Sequence, residues 1–187
     1  MHLPKGITEE KLIQQCKNGD LKHLEVLYKH FYGYAMGVGL RYSYSRDDAQ
    51  EVVNDAFIKV FGALQYYDAG KPFKAWLRTI VVNTAIDKQR KEQKHQWGKD
   101  IENALQLESP FNAVEQLNVD DILKLLALLP DVHRTVFNLY EIDGYKHDEI
   151  AEILGIPASS SRVYLTRAKD KLREMLNKPE GKHERRV

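Results

Sequence analysis

Apolar residues recur at a period near 3.6 through almost the whole chain, and this pattern restricts the fold more than any other feature. Only 6 prolines interrupt 187 residues, and no alternating β-branched run is bounded by turn residues, so an all-α chain is expected. Apolar and aromatic residues keep helical spacing from Leu12 to about Tyr32. The same pattern predicts helices over 47–62, 73–94, 119–129, 131–141, 146–154 and 158–176, with Ser45 or Asp47 as the N-cap of the first of these. Asp68, Gly70 and Pro72 mark a loop, Pro130 stops a helix, and Asp143-Gly144 and Gly155-Ile156-Pro157 read as turns. Residues 95–118 are mixed and polar, with Gly98 and Ser109-Pro110, and read as a linker in which 101–107 is a candidate short helix. Two small helical domains are therefore expected, 8–94 and 119–178, followed by a disordered tail at 179–187.

Composition narrows the function classes. Hydrophobic residues at 43% and charged residues at 29% suit a globular chain and exclude wholesale disorder. Lys plus Arg is 28 against 27 for Asp plus Glu, so the chain is not a globally basic nucleic-acid binder. The charges are segregated, however. Residues 71–99 carry 8 basic and 2 acidic groups, 100–157 carry 3 and 12, and 158–187 carry 9 and 4. Two basic blocks around an acidic one mark two places that can meet phosphate. The single cysteine, Cys16, excludes an internal disulfide, and neither a secretory leader nor an apolar run near 18 residues is evident, so a cytoplasmic protein is expected. No catalytic, metal or cofactor site is expected. The 7 histidines are scattered, and His23 and His30 share a face at i, i+7 without a third ligand. His147-Asp148-Glu149 opens a helix, where acids belong in any case, and no phosphate-binding glycine loop appears.

The sharpest local signal lies near the carboxyl end. Glu149-Ile-Ala-Glu-Ile-Leu-Gly-Ile-Pro157 precedes a basic helix. Ala151 is small where two helices cross, Gly155 suits a left-handed helix end, and Pro157 starts the next helix. Ser161, Leu165, Ala168, Leu172 and Met175/Leu176 form the expected buried stripe of that helix. Ser159, Val163, Thr166, Arg167 and Asp170 then face outward, with Ser160 beside them and Arg162 on the flank. Hydroxyls and arginines at the start of an exposed helix are the equipment of a major-groove reader in a helix-turn-helix. The competing role is an ordinary helical hairpin with a solvated basic face.

Two further helices carry distinctive faces. On 47–62, Ala49, Val52, Val53, Ala56, Phe57, Val60 and Phe61 share one side, while Asp47, Glu51, Asn54, Asp55 and Ile58 share the other. An apolar Ile58 among exposed acids fits a docking surface for a basic, partly apolar partner, or is one stray exposed isoleucine. The helix over 73–94 assigns Trp76, Leu77, Ile80, Val81 and Ile86 to the core and Lys74, Arg78, Asn83, Asp87, Lys88 and Arg90 to polar faces. Tyr66 and Tyr67 precede it. Aromatics beside cations can stack unpaired bases, and core packing is the alternative for Tyr66, Tyr67 and Trp76 alike.

Taken in order, the segments 48–61, 73–90 and 129–176 resemble a bacterial RNA polymerase sigma factor of the sigma-70 family, of the extracytoplasmic-function (ECF) type. The resemblance implies region 2 at the amino-terminal side and region 4, a helix-turn-helix, at the carboxyl side. It implies that Glu51, Asn54, Asp55 and Ile58 bind the β′ clamp helices of core polymerase. It implies that the loop 65–74 and Tyr66, Tyr67, Lys74, Trp76, Arg78, Asn83, Asp87 and Arg90 meet the melted −10 element. Ser159, Ser160, Arg162, Val163, Thr166 and Arg167 would read double-stranded −35 DNA, with region 4 resting on the β flap. The linker would thread the polymerase cleft. The implied partners are core polymerase and promoter DNA, with room for an anti-sigma factor, and the nucleotidyl transfer belongs to the polymerase. Ser159-Ser160-Ser161 stands where many members have Gly-Thr-Val, Val163 where serine is common, and Tyr164 where arginine is frequent, so the −35 sequence does not carry over. The rival is a helix-turn-helix regulator acting without polymerase, which would have no use for the acidic helix bearing Ile58 or for the helix bearing Trp76.

Overall fold

The computed structural model describes residues 7–96 and 118–177. The chain divides into two compact units, Met1–Lys99 and Asp100–Val187, and every element among the described residues is helical. The protein is thus all-α, with two helical domains joined by a linker. The candidate helix at 101–107 and the tail at 179–187 lie outside the described residues.

Unit 1 holds α1 (Glu9–Lys17), α2 (Leu21–Tyr42), α3 (Arg46–Ala63), a 3-10 turn (Leu64–Tyr66) and α4 (Phe73–Gln96). The helical run expected from Leu12 to Tyr32 is two helices. Asn18-Gly19-Asp20 breaks it, with Gly19 at φ 81 and the Asp20 carboxylate accepting from the Lys22 amide at 2.9 Å to cap α2. The Ser45 hydroxyl caps α3, accepting from the Asp48 amide at 3.1 Å, and Asp47 and Asp48 add favourable charge to its first turn. α2, α3 and α4 pack against one another, and α1 lies on α2. Leu27 and Phe31 of α2, Val52, Val53, Phe57 and Val60 of α3, and Phe73, Leu77 and Val81 of α4 are buried in this core. Each such side chain contributes about 1.5–3 kcal/mol. Cys16 is buried beside them. Burial first, and then the charge of Asp20, push its thiol up to about 11, so it stays protonated at neutral pH.

Unit 2 holds α5 (Val119–Ala127), α6 (Asp131–Phe137), a π-helical turn (Asn138–Ile142), α7 (His147–Leu154) and α8 (Ala158–Asn177). A capping box opens α5. Asn118 Oδ1 accepts from the Asp121 amide at 3.0 Å, and Asp121 Oδ2 accepts from the Asn118 amide at 3.2 Å. The helix expected over 131–141 changes to a π turn at Asn138. There the Asp143 amide reaches the Asn138 carbonyl and the Tyr145 amide the Leu139 carbonyl, both at 2.9 Å. The wider turn thereby satisfies carbonyls at a buried helix end. α5, α6 and α7 all pack on α8, around Leu126, Leu129 and Ala168. No described helix is long and apolar enough to cross a membrane.

Candidate nucleic-acid interface

α7 and α8 form a helix-turn-helix because the residues between them end one helix and start the next. Gly155 takes φ 66 and ψ 37, a conformation that a side chain would disfavour, and the Ile156 amide closes on the Ala151 carbonyl at 3.1 Å. Pro157 then supplies its carbonyl to the Ser161 amide at 3.2 Å in the first turn of α8. Ser161, Leu165 and Ala168 are buried, and Leu172, Met175 and Leu176 are half-buried. Ser159, Arg162, Thr166, Arg167 and Asp170 are exposed, Val163 is 46% exposed, and Ser160 is half-buried. At about 100° per residue, Ser159, Val163, Thr166 and Asp170 form the crest of the outer face. Arg162 and Arg167 stand on opposite flanks of that crest, about 140° apart. Both arginines therefore flank the face, whereas the sequence pattern set only Arg162 aside.

In unit 1 the acidic face of α3 is exposed along Asp47, Glu51, Asn54, Asp55 and Ile58, with Ile58 at 69%. The neighbouring helices tie part of it down. Lys88 of α4 donates to Glu51 at 2.7 Å and also to Asp48, and Asn54 Oδ1 accepts from the Tyr28 hydroxyl at 3.0 Å. Burial works against the charge on Lys88, but its hydrogen bonds to Asp48 and Glu51 outweigh that and hold its pKa above the usual lysine value. Asp55 makes no hydrogen bond or ion pair among the described residues, so its charge and the Ile58 side chain are the unengaged part of the face.

The loop before α4 sorts the two tyrosines. Tyr66 is 88% exposed at the end of the 3-10 turn. Tyr67 is only 6% exposed, its ring set against Phe73 at 5.3 Å and Trp76 at 5.1 Å. Lys17 of α1 donates to the Tyr67 carbonyl at 2.9 Å and lies over its ring, while the Tyr67 hydroxyl donates to the Lys71 carbonyl. Core packing is thus the role of Tyr67 here, which corrects its reading as a stacking platform, because both faces of a platform cannot be buried. Trp76 is half-buried by the same cluster. On α4, Asn83, Asp87 and Arg90 are exposed and fall within about 60° of one another, with Trp76 two turns earlier on the same arc. Lys74 and Arg78 lie more than about 100° away from Asn83, so the cations expected on this helix occupy two faces. The Lys74 ammonium sits 5.7 Å from the Tyr34 ring centre.

Family models match both units. The description "Sigma-70 region 2" matches residues 27–95, and "Sigma-70, region 4" matches residues 120–172. The chain belongs to the sigma-70 family, as a sigma factor of the ECF type. This sigma factor is 26% identical over 176 residues to the "ECF RNA polymerase sigma-E factor" of Haemophilus influenzae, covering 88% of this chain and 93% of that protein. It is 27% identical over 176 residues to the protein of the same name from Escherichia coli K12, covering 88% of this chain and 92% of that one. Among solved structures, the "sigma factor RpoE in complex with the anti-sigma factor NepR from Bartonella quintana" shares the fold, with a TM-score of 0.54 and 23% identity over 83% of this chain and 98% of that one.

Several residues that shape these faces carried no sequence signal. Lys59 of α3 pairs with Asp87 of α4 at 3.4 Å, and Arg90 approaches the same carboxylate at 3.8 Å. His147 Nδ1 lies 2.9 Å from the hydroxyl of Ser161, and His133 packs against Tyr164 with ring centres 5.2 Å apart. Apart from Arg90–Asp87, which share α4 at i,i+3, each pair joins different helices, so no spacing within one helix reveals it. His23, one of the two histidines sharing a face, pairs with the capping Asp20 at 2.7 Å.

Proposed function

We propose that this sigma factor binds RNA polymerase core and directs promoter-specific initiation, with region 2 over 8–94, a linker over 95–118 and region 4 over 119–178. The acidic face of α3, centred on Asp55 and Ile58 with Glu51 and Asn54 beside them, docks on the β′ clamp helices. A carboxylate without a partner among the described residues, next to an exposed isoleucine, suits a basic, partly apolar partner. Region 4 rests on the β flap and reads −35 duplex with α8. Arg162 and Arg167 approach from the two flanks, and Ser159, Ser160, Val163 and Thr166 lie between or beside them. In region 2, Tyr66 and the arc of Trp76, Asn83, Asp87 and Arg90 capture bases of the melted −10 strand, while Lys74 and Arg78 follow its phosphates. An anti-sigma factor is a further candidate partner. The chain performs no chemistry of its own, and nucleotide addition belongs to the polymerase.

The observation that carries this reading is the occurrence in one chain of the exposed α8 face and the unengaged Asp55–Ile58 face, in a family of sigma factors. A helix-turn-helix regulator working alone would need only the first. In vitro transcription with core polymerase on fragmented genomic DNA tests it. Start sites preceded by a shared pair of elements at −35 and −10 are expected. A folded chain that comigrates with core in gel filtration but yields no selective starts refutes promoter direction, and one that never comigrates refutes the sigma role.

A further inference from the structure

Two histidines, one on α7 and one on α6, contact the recognition helix behind its exposed face. Ser161 is fully buried, and a buried hydroxyl requires a hydrogen-bond partner. Its Oγ lies 2.9 Å from Nδ1 of His147, the first residue of α7. That ring is itself fixed, because it stacks on Tyr140 of the π turn with centres 4.5 Å apart and planes 23° from parallel. His133 of α6 packs on Tyr164 of α8 at 5.2 Å and an interplanar angle of 35°. The flanking arginines are close by. The charge of Arg162 acts on His147 and that of Arg167 on His133, and in each case burial first, then the arginine, hold the imidazole below the usual histidine range.

We propose that His147 and His133 are positioning residues for −35 reading: through Ser161 and Tyr164 they set the roll of α8 about its own axis, and thereby which of Arg162 and Arg167 reaches a base edge. The inference rests on region 4 reading −35 duplex. Because the two arginines stand on opposite flanks, any roll of α8 advances one toward the groove floor and withdraws the other. A roll of about 20° at a side-chain radius of about 6 Å moves a guanidinium by about 2 Å. That exceeds the tolerance of a bidentate hydrogen bond. A buried polar contact suits the task better than an apolar one, since it is satisfied in one arrangement only, whereas methyl groups pack acceptably over a range of rolls.

The test uses the full chain assembled with core polymerase and a duplex library randomised over the −35 region, reading preference at each base pair. His147→Asn keeps an amide near the Nδ1 position and should retain the parent preferences. His147→Gln places its amide elsewhere and should weaken or reassign the preference at the base pairs read by the arginines, on the order of tenfold. His133→Phe, which keeps a ring on Tyr164, should resemble the parent, and His133→Ala should not. Combining His147→Gln with Ser161→Val removes the unmet hydroxyl and should recover stability without restoring the parent preferences, and full recovery of those preferences overturns the inference. If His147→Gln melts early, Ser161→Ala breaks the same contact from the other side and should shift the same base pairs. Unchanged preferences in folded His147→Gln or Ser161→Ala, or a loss uniform across all sequences, overturn the inference. A parent holoenzyme with no −35 preference at all overturns the reading beneath it and the inference with it.

Discussion

Replacing Asp55 by Lys and Ile58 by Glu together should detach the chain from core polymerase without unfolding it. Ile58 is 69% exposed, and complete burial of such a side chain is worth about 1.5–3 kcal/mol, so covering the exposed part contributes about 1–2 kcal/mol. Asp55 has no partner among the described residues to give up. Turning its attraction for a basic surface into repulsion adds about 1–2 kcal/mol, roughly twice the value of one exposed ion pair. The sum of about 2–4 kcal/mol corresponds to a thirty- to seven-hundred-fold weaker complex, roughly. Stability should change by less than about 0.5 kcal/mol, since both positions are exposed and both new residues favour a helix at least as well. Titration of core polymerase with the amino-terminally labelled chain measures the affinity, and urea unfolding monitors the fold. Glu51→Gln provides an internal contrast. Its carboxylate is already engaged by Lys88 at 2.7 Å, so it should cost less binding than Asp55→Asn. A folded double variant that binds core within threefold of the parent refutes the assignment of this face.

Asn83→Ala should slow opening on duplex promoters about two- to tenfold, with a smaller loss on pre-melted templates; equal loss on both would mean contact only after melting. Arg162→Ala and Arg167→Ala should differ in kind. The residue on a base edge costs about 1–3 kcal/mol and relaxes one base pair, and the residue on phosphate weakens all sequences and lowers the salt slope by about one. Since the two flank the crest about equally, the variant that relaxes one base pair identifies the base reader, and unchanged −35 preferences in both variants would refute a base contact by either. Gly37→Ala should stabilise unit 1 by up to about 1 kcal/mol, because its Cβ meets nothing within 4 Å. Gly39→Ala, two residues on, should destabilise it by about 1 kcal/mol in urea titration. Its Cβ would lie 3.2 Å from Val53 Cγ2 and 3.4 Å from the Ala49 carbonyl, and a buried valine in a helix has no second rotamer to yield with. For unit 2, the depressed pKa values of His133 and His147 mean that the unfolded chain binds more protons than the folded one just below the ordinary histidine value of about 6.5. Stability should therefore be complete above that pH and fall as pH drops through it, and thermal midpoints at pH 7.5 and 5.5 that coincide would contradict this.

Sequence alone determined what depends on neighbours a few residues away. The Gly155 end of α7 and the Pro157 start of α8 are each set by one residue acting on its own turn and are legible, and the cap of α3 is legible to within two candidates, Ser45 and Asp47, of which the structure selects Ser45. The buried stripe of α8 and the core face of α3 were legible for a related reason. Once a helix forms, its period assigns every residue to a face, and the apolar face must find a partner. The joint order of the acidic helix, the aromatic loop and the helix-turn-helix is enough to point to a sigma factor. Local pattern could not separate Tyr66 from Tyr67, because adjacent aromatics in a loop have identical composition and only the Lys17 and Phe73 contacts bury one of them. Nor could it show that Lys59 pairs with Asp87, that Lys88 restrains Glu51, or that His147 holds Ser161, each of which joins two helices. Apolar spacing continues across Asn18–Asp20, so periodicity does not reveal the sharp break there, even though the residues favour a turn. Periodicity specifies which side of a helix is buried. Which helix it meets, and at what roll, is decided by packing all the elements at once, and the finer points of this site lie in those contacts.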